Sequence, residues 1–138
     1  MADVLVDAGA LVAFLDEDDA EHERCVDVFK GIRDPLATVW PALTEAMHLL
    51  ADTPRASEAL CDIVFDGAVK LLPLASSEMA RVKQLMQKYR DLPMDFADAV
   101  LVHAAERDRL TRIVTFDRHF GVYRLPRRRM FTVLPRPR

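Results

Sequence analysis

A three-layer α/β/α sandwich around a central parallel sheet of about four or five strands is the fold this sequence predicts. Three observations carry that reading. Short apolar runs alternate with stretches of helical periodicity, as expected of strands joined by crossover helices. Two of those runs lead into an aspartate, at the sheet edge where open α/β folds gather their ligands. The length, 138 residues without repeat, low-complexity tract or linker, suits one domain spanning 1–138.

The elements follow in order. Val4-Leu5-Val6 is a strand that ends in Asp7, and Ala8-Gly9-Ala10 opens a helix through Leu15. Asp7 is thus either a helix N-cap or a group at the site edge. The acidic run Asp16–Glu23 reads as a solvated loop and the first turn of a helix over 18–32, with Val26, Phe29 and Ile32 inward and no special role for His22. Leu36–Val39 is a second strand, and Trp40-Pro41 turns it into a helix with proline at its first position. Glu45 is a lone acid in that apolar helix, either surface-exposed or functional, and His48 pads the same face.

Asp52-Thr53-Pro54 starts another helix, which Gly67 ends, with Ala56, Leu60, Ile63 and Val64 inward. Val69–Leu72 is a short strand. Ser76-Ser77-Glu78 opens a helix to about Arg90, with Met79, Val82, Leu85, Met86 and Tyr89 on its core side. Pro93 disfavours helix at Leu92, and Asp95 caps the helix that follows, roughly 95–108. Arg112–Asp117 repeats the first pattern, an apolar strand ending in aspartate, and Arg118-His119-Phe120 turns after it. Phe131–Leu134 is a last edge strand, with Pro135 and Pro137 closing the chain.

Asp98 is the least ordinary residue. Every other residue of 96–102 is apolar, and no lysine or arginine lies within four positions. A buried, unpaired carboxylate is costly, so Asp98 calls for a cleft, a distant cation or a metal ion.

Composition narrows the class. Hydrophobic residues at 51% and charged residues at 30% describe an ordinary globular protein. No apolar run reaches 18 residues, which excludes a membrane span, and the N-terminus lacks the basic stretch of a signal peptide. Cys25 and Cys61 form no CxxC and read as reduced core cysteines, so a cytoplasmic protein is expected. The net charge of −3 hides an asymmetry. Residues 107–138 hold ten Arg against two Asp, a net of +8, which leaves −11 for residues 1–106. One surface is suited to cations and another to phosphates.

Asp7, Glu45, Asp98 and Asp117 each sit in or just after an apolar element, and a parallel sheet sends all four towards one edge. Gathered carboxylates raise one another's pKa unless a divalent cation neutralises them. Oxygen-only ligation favours Mg²⁺ or Mn²⁺, and no Cys/His spacing supports zinc. Such a site suits metal-assisted phosphodiester hydrolysis.

The order Val-Leu-Val-Asp7-Ala-Gly-Ala-Leu-Val-Ala-Phe-Leu, Thr44-Glu45-Ala, Met-Asp95-Phe-Ala-Asp98-Ala and Thr115-Phe-Asp117-Arg-His-Phe resembles the PIN-domain nucleases, in particular the VapC-like toxins of bacterial toxin–antitoxin pairs. The resemblance spans residues 4 to about 120. It implies a parallel-sheet fold, a Mg²⁺- or Mn²⁺-dependent endoribonuclease, an RNA substrate, a cognate antitoxin and a homodimer. It makes Asp7, Glu45, Asp98 and Asp117 the catalytic and metal-binding quartet, with Asp95 an accessory ligand or cap. Many members have Ser or Thr after the first acid where this chain has Ala8, leaving Thr44 or Thr115 to supply the supporting hydroxyl.

Arg118, Arg124, Arg127, Arg128 and Arg129 are candidate RNA-backbone contacts, or else a solvated basic tail or an antitoxin-binding surface. A haloacid-dehalogenase-like phosphotransferase would need an acid where Gly9 stands, and a receiver domain would need a late lysine, whereas the last is Lys88. The remaining rival is a catalytically silent PIN-like module that binds RNA or protein.

Overall fold

The computed structural model describes residues 2–136, so Met1, Pro137 and Arg138 lie outside the described residues. In chain order the elements are β1 (Val4–Val6), α1 (Ala8–Leu15), α2 (His22–Lys30), β2 (Leu36–Val39), α3 (Trp40–Leu49), α4 (Pro54–Phe65), β3 (Val69–Leu72), α5 (Met79–Lys88), α6 (Phe96–Asp108), β4 (Arg112–Val114), β5 (Arg124–Leu125), β6 (Arg129–Met130) and β7 (Thr132–Leu134). Five strands form one sheet in the order β3-β2-β1-β4-β7, and every pairing in it is parallel. Helices flank it, as the alternation of apolar runs and helical stretches predicts. A two-stranded antiparallel ribbon, β5–β6, was not foreseen; its strands are only two residues each and leave no periodic signal.

Chain order explains where the site must lie. β1, β2 and β3 progress in one direction, and the chain then returns to place β4 on the other side of β1. The crossovers diverge between β1 and β4, and a crevice opens beyond the carboxyl ends of those two strands. Asp7 follows β1 directly, and Asp117 lies three residues past β4, which ends at Val114 rather than continuing to Asp117 as the sequence suggested.

Burial follows the apolar runs. All three residues of β1 are fully buried, as a strand covered on both faces requires. Helix α6 is buried over Ala97 and Ala99–Ala105, an almost continuous contact surface rich in alanine, which lets neighbours approach closely. Its far end is clipped by charge. Glu78 accepts from His103 Nε2 and from Arg107, each at 2.7 Å, and Arg107 also donates to the Pro73 carbonyl. The bond from the Ala75 N–H first, then those from Arg107 and His103, hold the Glu78 carboxyl down at about 2.

Several boundaries and orientations differ from expectation. Helix α2 starts at His22, not near 18, because Asp16 and Asp19 accept from the backbone N–H groups of Asp18 and Glu21 and make turns instead. The stretch 76–78 forms a separate 3₁₀ turn before α5, which stops at Lys88. Met79 is exposed rather than on the core side, while Val82 and Leu85 carry that face. Cys25 is buried as expected, but Cys61 is exposed, so only one of the two is a core thiol.

Leu5, fully buried at the centre of β1, tests the load on this core. Leu5→Ala is expected to cost about 2–5 kcal/mol, read as a lower urea midpoint at unchanged m-value.

Candidate active site

The residues that close the crevice are set by helix ends. Asp7 is the N-cap of α1, and its Oδ1 accepts from the Ala10 N–H at 2.9 Å. Its Oδ2 accepts a short hydrogen bond from the Thr115 hydroxyl. Thr115 is itself buried in the segment after β4, where its N–H donates to the Leu134 carbonyl at 2.9 Å. The same threonine oxygen accepts from the Asp117 N–H at 2.9 Å. One hydroxyl therefore ties the acid after β1 to the acid after β4. Of the two candidate supporting hydroxyls, Thr115 orients an acid; that of Thr44 donates back to the Trp40 carbonyl at 3.0 Å within its own helix. Ala8 is buried, and the orienting hydroxyl comes from across the sheet instead.

Asp95 and Asp98 form a reciprocal cap on α6. Asp95 Oδ1 accepts from the Asp98 N–H at 2.8 Å, and Asp98 Oδ2 accepts from the Asp95 N–H at 3.3 Å. The Tyr123 hydroxyl, on a fully buried ring, reaches to 3.5 Å from Asp98 Oδ2, the long limit of a hydrogen bond. Asp117 caps the 3₁₀ turn 118–121, accepting from the His119 N–H at 2.9 Å, with His119 Nδ1 3.3 Å from the same oxygen. Glu45 is exposed on α3, which packs on α6.

These groups wall a cleft of about 360 Å³ that brings together Asp7, Glu45, Asp95, Asp98 and Asp117. Asp19 joins them, although its place in the acidic run reads as solvated loop. No pattern in the sequence singled it out from its acidic neighbours. Tyr123 was missed for a similar reason, as one aromatic in an irregular stretch.

Crowding leaves its mark on the acids. Burial pushes the Asp7 carboxyl up to about 6, with the charges of Asp117 and Glu45 adding to it and the bonds from Thr115 and Ala10 opposing. Burial, then the charge of Asp95, lifts Asp98 to about 7. Glu45, although exposed to solvent, is raised by partial desolvation against the cleft wall and then by the charge of Asp95. The donors are all oxygens, and among the described residues no lysine or arginine lines the cleft. That chemistry fits a hard divalent cation, which would relieve the repulsion. Among the described residues no three carboxylate, imidazole or thiol groups converge closely enough to make a ready-formed cage. The acids wall the cleft rather than meet at a point.

The arginines divide. Arg118 is exposed and lines a hollow with Thr115, Phe116 and Asp117, next to the acids. Arg124 is turned to the backbone, donating to the carbonyls of Gly121 and Val122 at 2.8 Å. Arg127 and Arg129 line a separate cavity of about 440 Å³ with Glu106 and Arg109, at the carboxyl end of α6, whereas the acids sit at its first turn. Arg128 is exposed beside them, with left-handed backbone at φ 59°. Of the five candidate arginines, Arg118 alone adjoins the acids, and Arg24 lines the same hollow from α2.

Comparison with known proteins places this geometry. The PIN domain family matches residues 4–125 of the chain. Ribonuclease VapC26 of Mycobacterium tuberculosis is 27% identical over 135 residues, covering 96% of this chain and all of that protein. Among solved structures, VapC20 of Mycobacterium tuberculosis, a sarcin-ricin-loop-cleaving toxin, superposes with a TM-score of 0.80 at 17% identity, covering 86% of this chain and 93% of that one. VapBC2 of Rickettsia felis, bound to a DNA fragment from its promoter, gives a TM-score of 0.65 at 11% identity over 96% and 98% of the two chains.

The raised Asp7 carboxyl has a consequence for stability. Its proton is held more tightly in the folded chain, so its contribution is fully present below its ordinary value of 3.8 and is lost as pH climbs through about 6. That gap corresponds to roughly 3 kcal/mol against the ionised form. In EDTA, Asp7→Asn is expected to be more stable than wild type by up to about 3 kcal/mol at pH 7.5 and no more stable near pH 3.5, measured by urea unfolding at both pH values. A less stable variant at pH 7.5 would mean that the Thr115 and Ala10 bonds outweigh the burial cost.

Proposed function

Because this chain belongs to the PIN domain family, which matches residues 4–125, we propose that it is a divalent-metal-dependent endoribonuclease and the toxin of a toxin–antitoxin pair. The observation that carries this reading is the gathering of Asp7, Glu45, Asp95, Asp98 and Asp117 around one cleft at the β1/β4 crevice. A relative named as a ribonuclease, alignable over nearly the whole chain, supports the activity. A cognate antitoxin partner and a homodimer belong to this proposal; a structural neighbour solved as VapBC2 bound to a DNA fragment from its promoter is in keeping with the fold. Residues 1–138 act as one domain in this reading. No helix among the described residues is long and apolar enough to cross a membrane, in keeping with action on RNA in the cytoplasm.

Asp7, Glu45, Asp98 and Asp117 are proposed to hold Mg²⁺ or Mn²⁺, with Asp95 serving as cap and accessory ligand. Bound there, the cation supplies positive charge that stabilises the phosphate in the transition state and lowers the pKa of the attacking water. The protein's own work is placement. Thr115 holds Asp7 and, through the Asp117 N–H, sets the opposite wall. The capping bonds of α6 hold the Asp95 side chain through the Asp98 N–H and the Asp98 side chain through the Asp95 N–H, so these carboxylates need not reorganise when substrate arrives. Arg118, beside Asp117, is the arginine suited to a phosphate next to the cleaved one.

Purified protein free of antitoxin should cleave single-stranded or transfer RNA with Mg²⁺ or Mn²⁺, and EDTA or Asp98→Asn should each lower the rate by about a hundredfold or more, the loss of several kcal/mol of charge stabilisation. Cleavage that survives Asp98→Asn would reject this assignment of the acids. Metal binding without hydrolysis of any RNA would favour the silent binding module instead.

The pKa pattern adds a second expectation. Metal must displace protons from Asp98 and Asp7, which ordinary carboxylates would already have lost by pH 5. Mn²⁺ affinity by calorimetry should tighten steadily between pH 5.5 and 7.5 and level off above it. A flat profile over that range would show that neither carboxyl is a ligand.

A further inference from the structure

Trp40 and Phe96 are the first residues of α3 and α6, and both are left exposed, at 59% and 39%. Large aromatics on a surface forfeit the free energy their burial would contribute, so a pair on one groove calls for an occupant. They line a groove of about 700 Å³ with Pro41 and Leu74, and its lining is mostly apolar. Three of its residues, Glu45, Asp95 and Ala97, also line the acid cleft, so groove and cleft are continuous.

We propose that this groove is the seat of an unstacked nucleobase of the RNA substrate, adjacent to the phosphate held at the acids. The inference rests on the nuclease reading above and adds to it a recognition element. Charge decides between base and backbone. Among the described residues no lysine or arginine lines the groove, so it offers a phosphate no partner, whereas a neutral, flat base meets an apolar and aromatic lining. Aromatic side chains give such a base a stacking platform, and Thr44 and His48 offer polar atoms to its edge. A base paired within a helix cannot enter. The enzyme therefore cuts beside a nucleotide that is single-stranded or splayed from its stack.

Trp40 is the only tryptophan in the chain, so its fluorescence reports the groove directly. The Asp98→Asn protein, titrated with labelled oligouridylate and oligoadenylate, should show saturable tryptophan quenching that tracks the anisotropy of the RNA. An abasic oligomer of equal length should bind without quenching. In the active background, Trp40→Ala and Phe96→Ala should raise KM about tenfold, the loss of one stacked base, and Trp40→Phe should restore most of it. Both side chains are exposed, so their truncation leaves the core intact, and an unchanged circular dichroism spectrum checks it. RNA binding with unmoved tryptophan fluorescence, or cleavage with unchanged KM in both alanine variants, overturns the inference while sparing the nuclease reading. Tryptophan fluorescence that follows protein concentration rather than RNA, with a smaller mass for Trp40→Ala, would hand the groove to a second copy of the chain. Failure of the wild type to bind or cut any RNA would bring down both.

Discussion

Repulsion between carboxylates is the constraint on which the rest of this structure depends. Asp7, Glu45, Asp95, Asp98 and Asp117 share one cleft, with Asp19 also on its wall and, among the described residues, no lysine or arginine lining it. Left alone, such groups would turn outward or take up protons, and two of them are held well above the usual carboxylate range. The fold tolerates this because three of the acids serve a second purpose. Each caps a helix or helical turn, so donors that would otherwise go unsatisfied fix the side chain while the charge faces the cleft. The bonds that begin the helices are the bonds that aim the site.

Thr115 shows how sheet topology enters the chemistry. It stands just beyond β4, where β1 and β4 lie side by side because the chain reversed direction there. Parallel pairing puts the carboxyl ends of both strands at one edge, and a single hydroxyl spans from one acid to the backbone of the other. A sheet that simply progressed outward from β1 would separate those two acids.

Most of the fold was legible because its signals are short-range. The strands of the main sheet are mostly apolar, and α1, α4 and α6 begin at a capping residue or a proline, which local sequence displays. The acids were legible for the opposite reason: Asp98 interrupts an apolar helix, and Asp7 ends an apolar strand, so each stands out against its neighbours. Asp19 has acidic neighbours and gave no contrast. Its presence at the cleft follows from Asx turns that bring the loop back, a three-dimensional fact. Where the arginines after 124 lie was not legible, because the irregular path of 118–131 carries them to the other end of α6. The exposure of Trp40 was equally hidden, since an aromatic at a helix start packs inward or outward according to what lies opposite.

Helix α6 is held at both ends, by the Asp95–Asp98 cap at its start and by the Glu78 bonds to His103 and Arg107 near its finish. Between them it is packed nearly all round. Each residue of an α-helix advances the azimuth by about 100°. Substitution along this rod trades one side chain for another, but gain or loss of a single residue would swing one anchor a quarter-turn or more from its partner. Over evolutionary drift, then, this segment behaves as a fixed-length spacer, open to changes of letter and closed to changes of count.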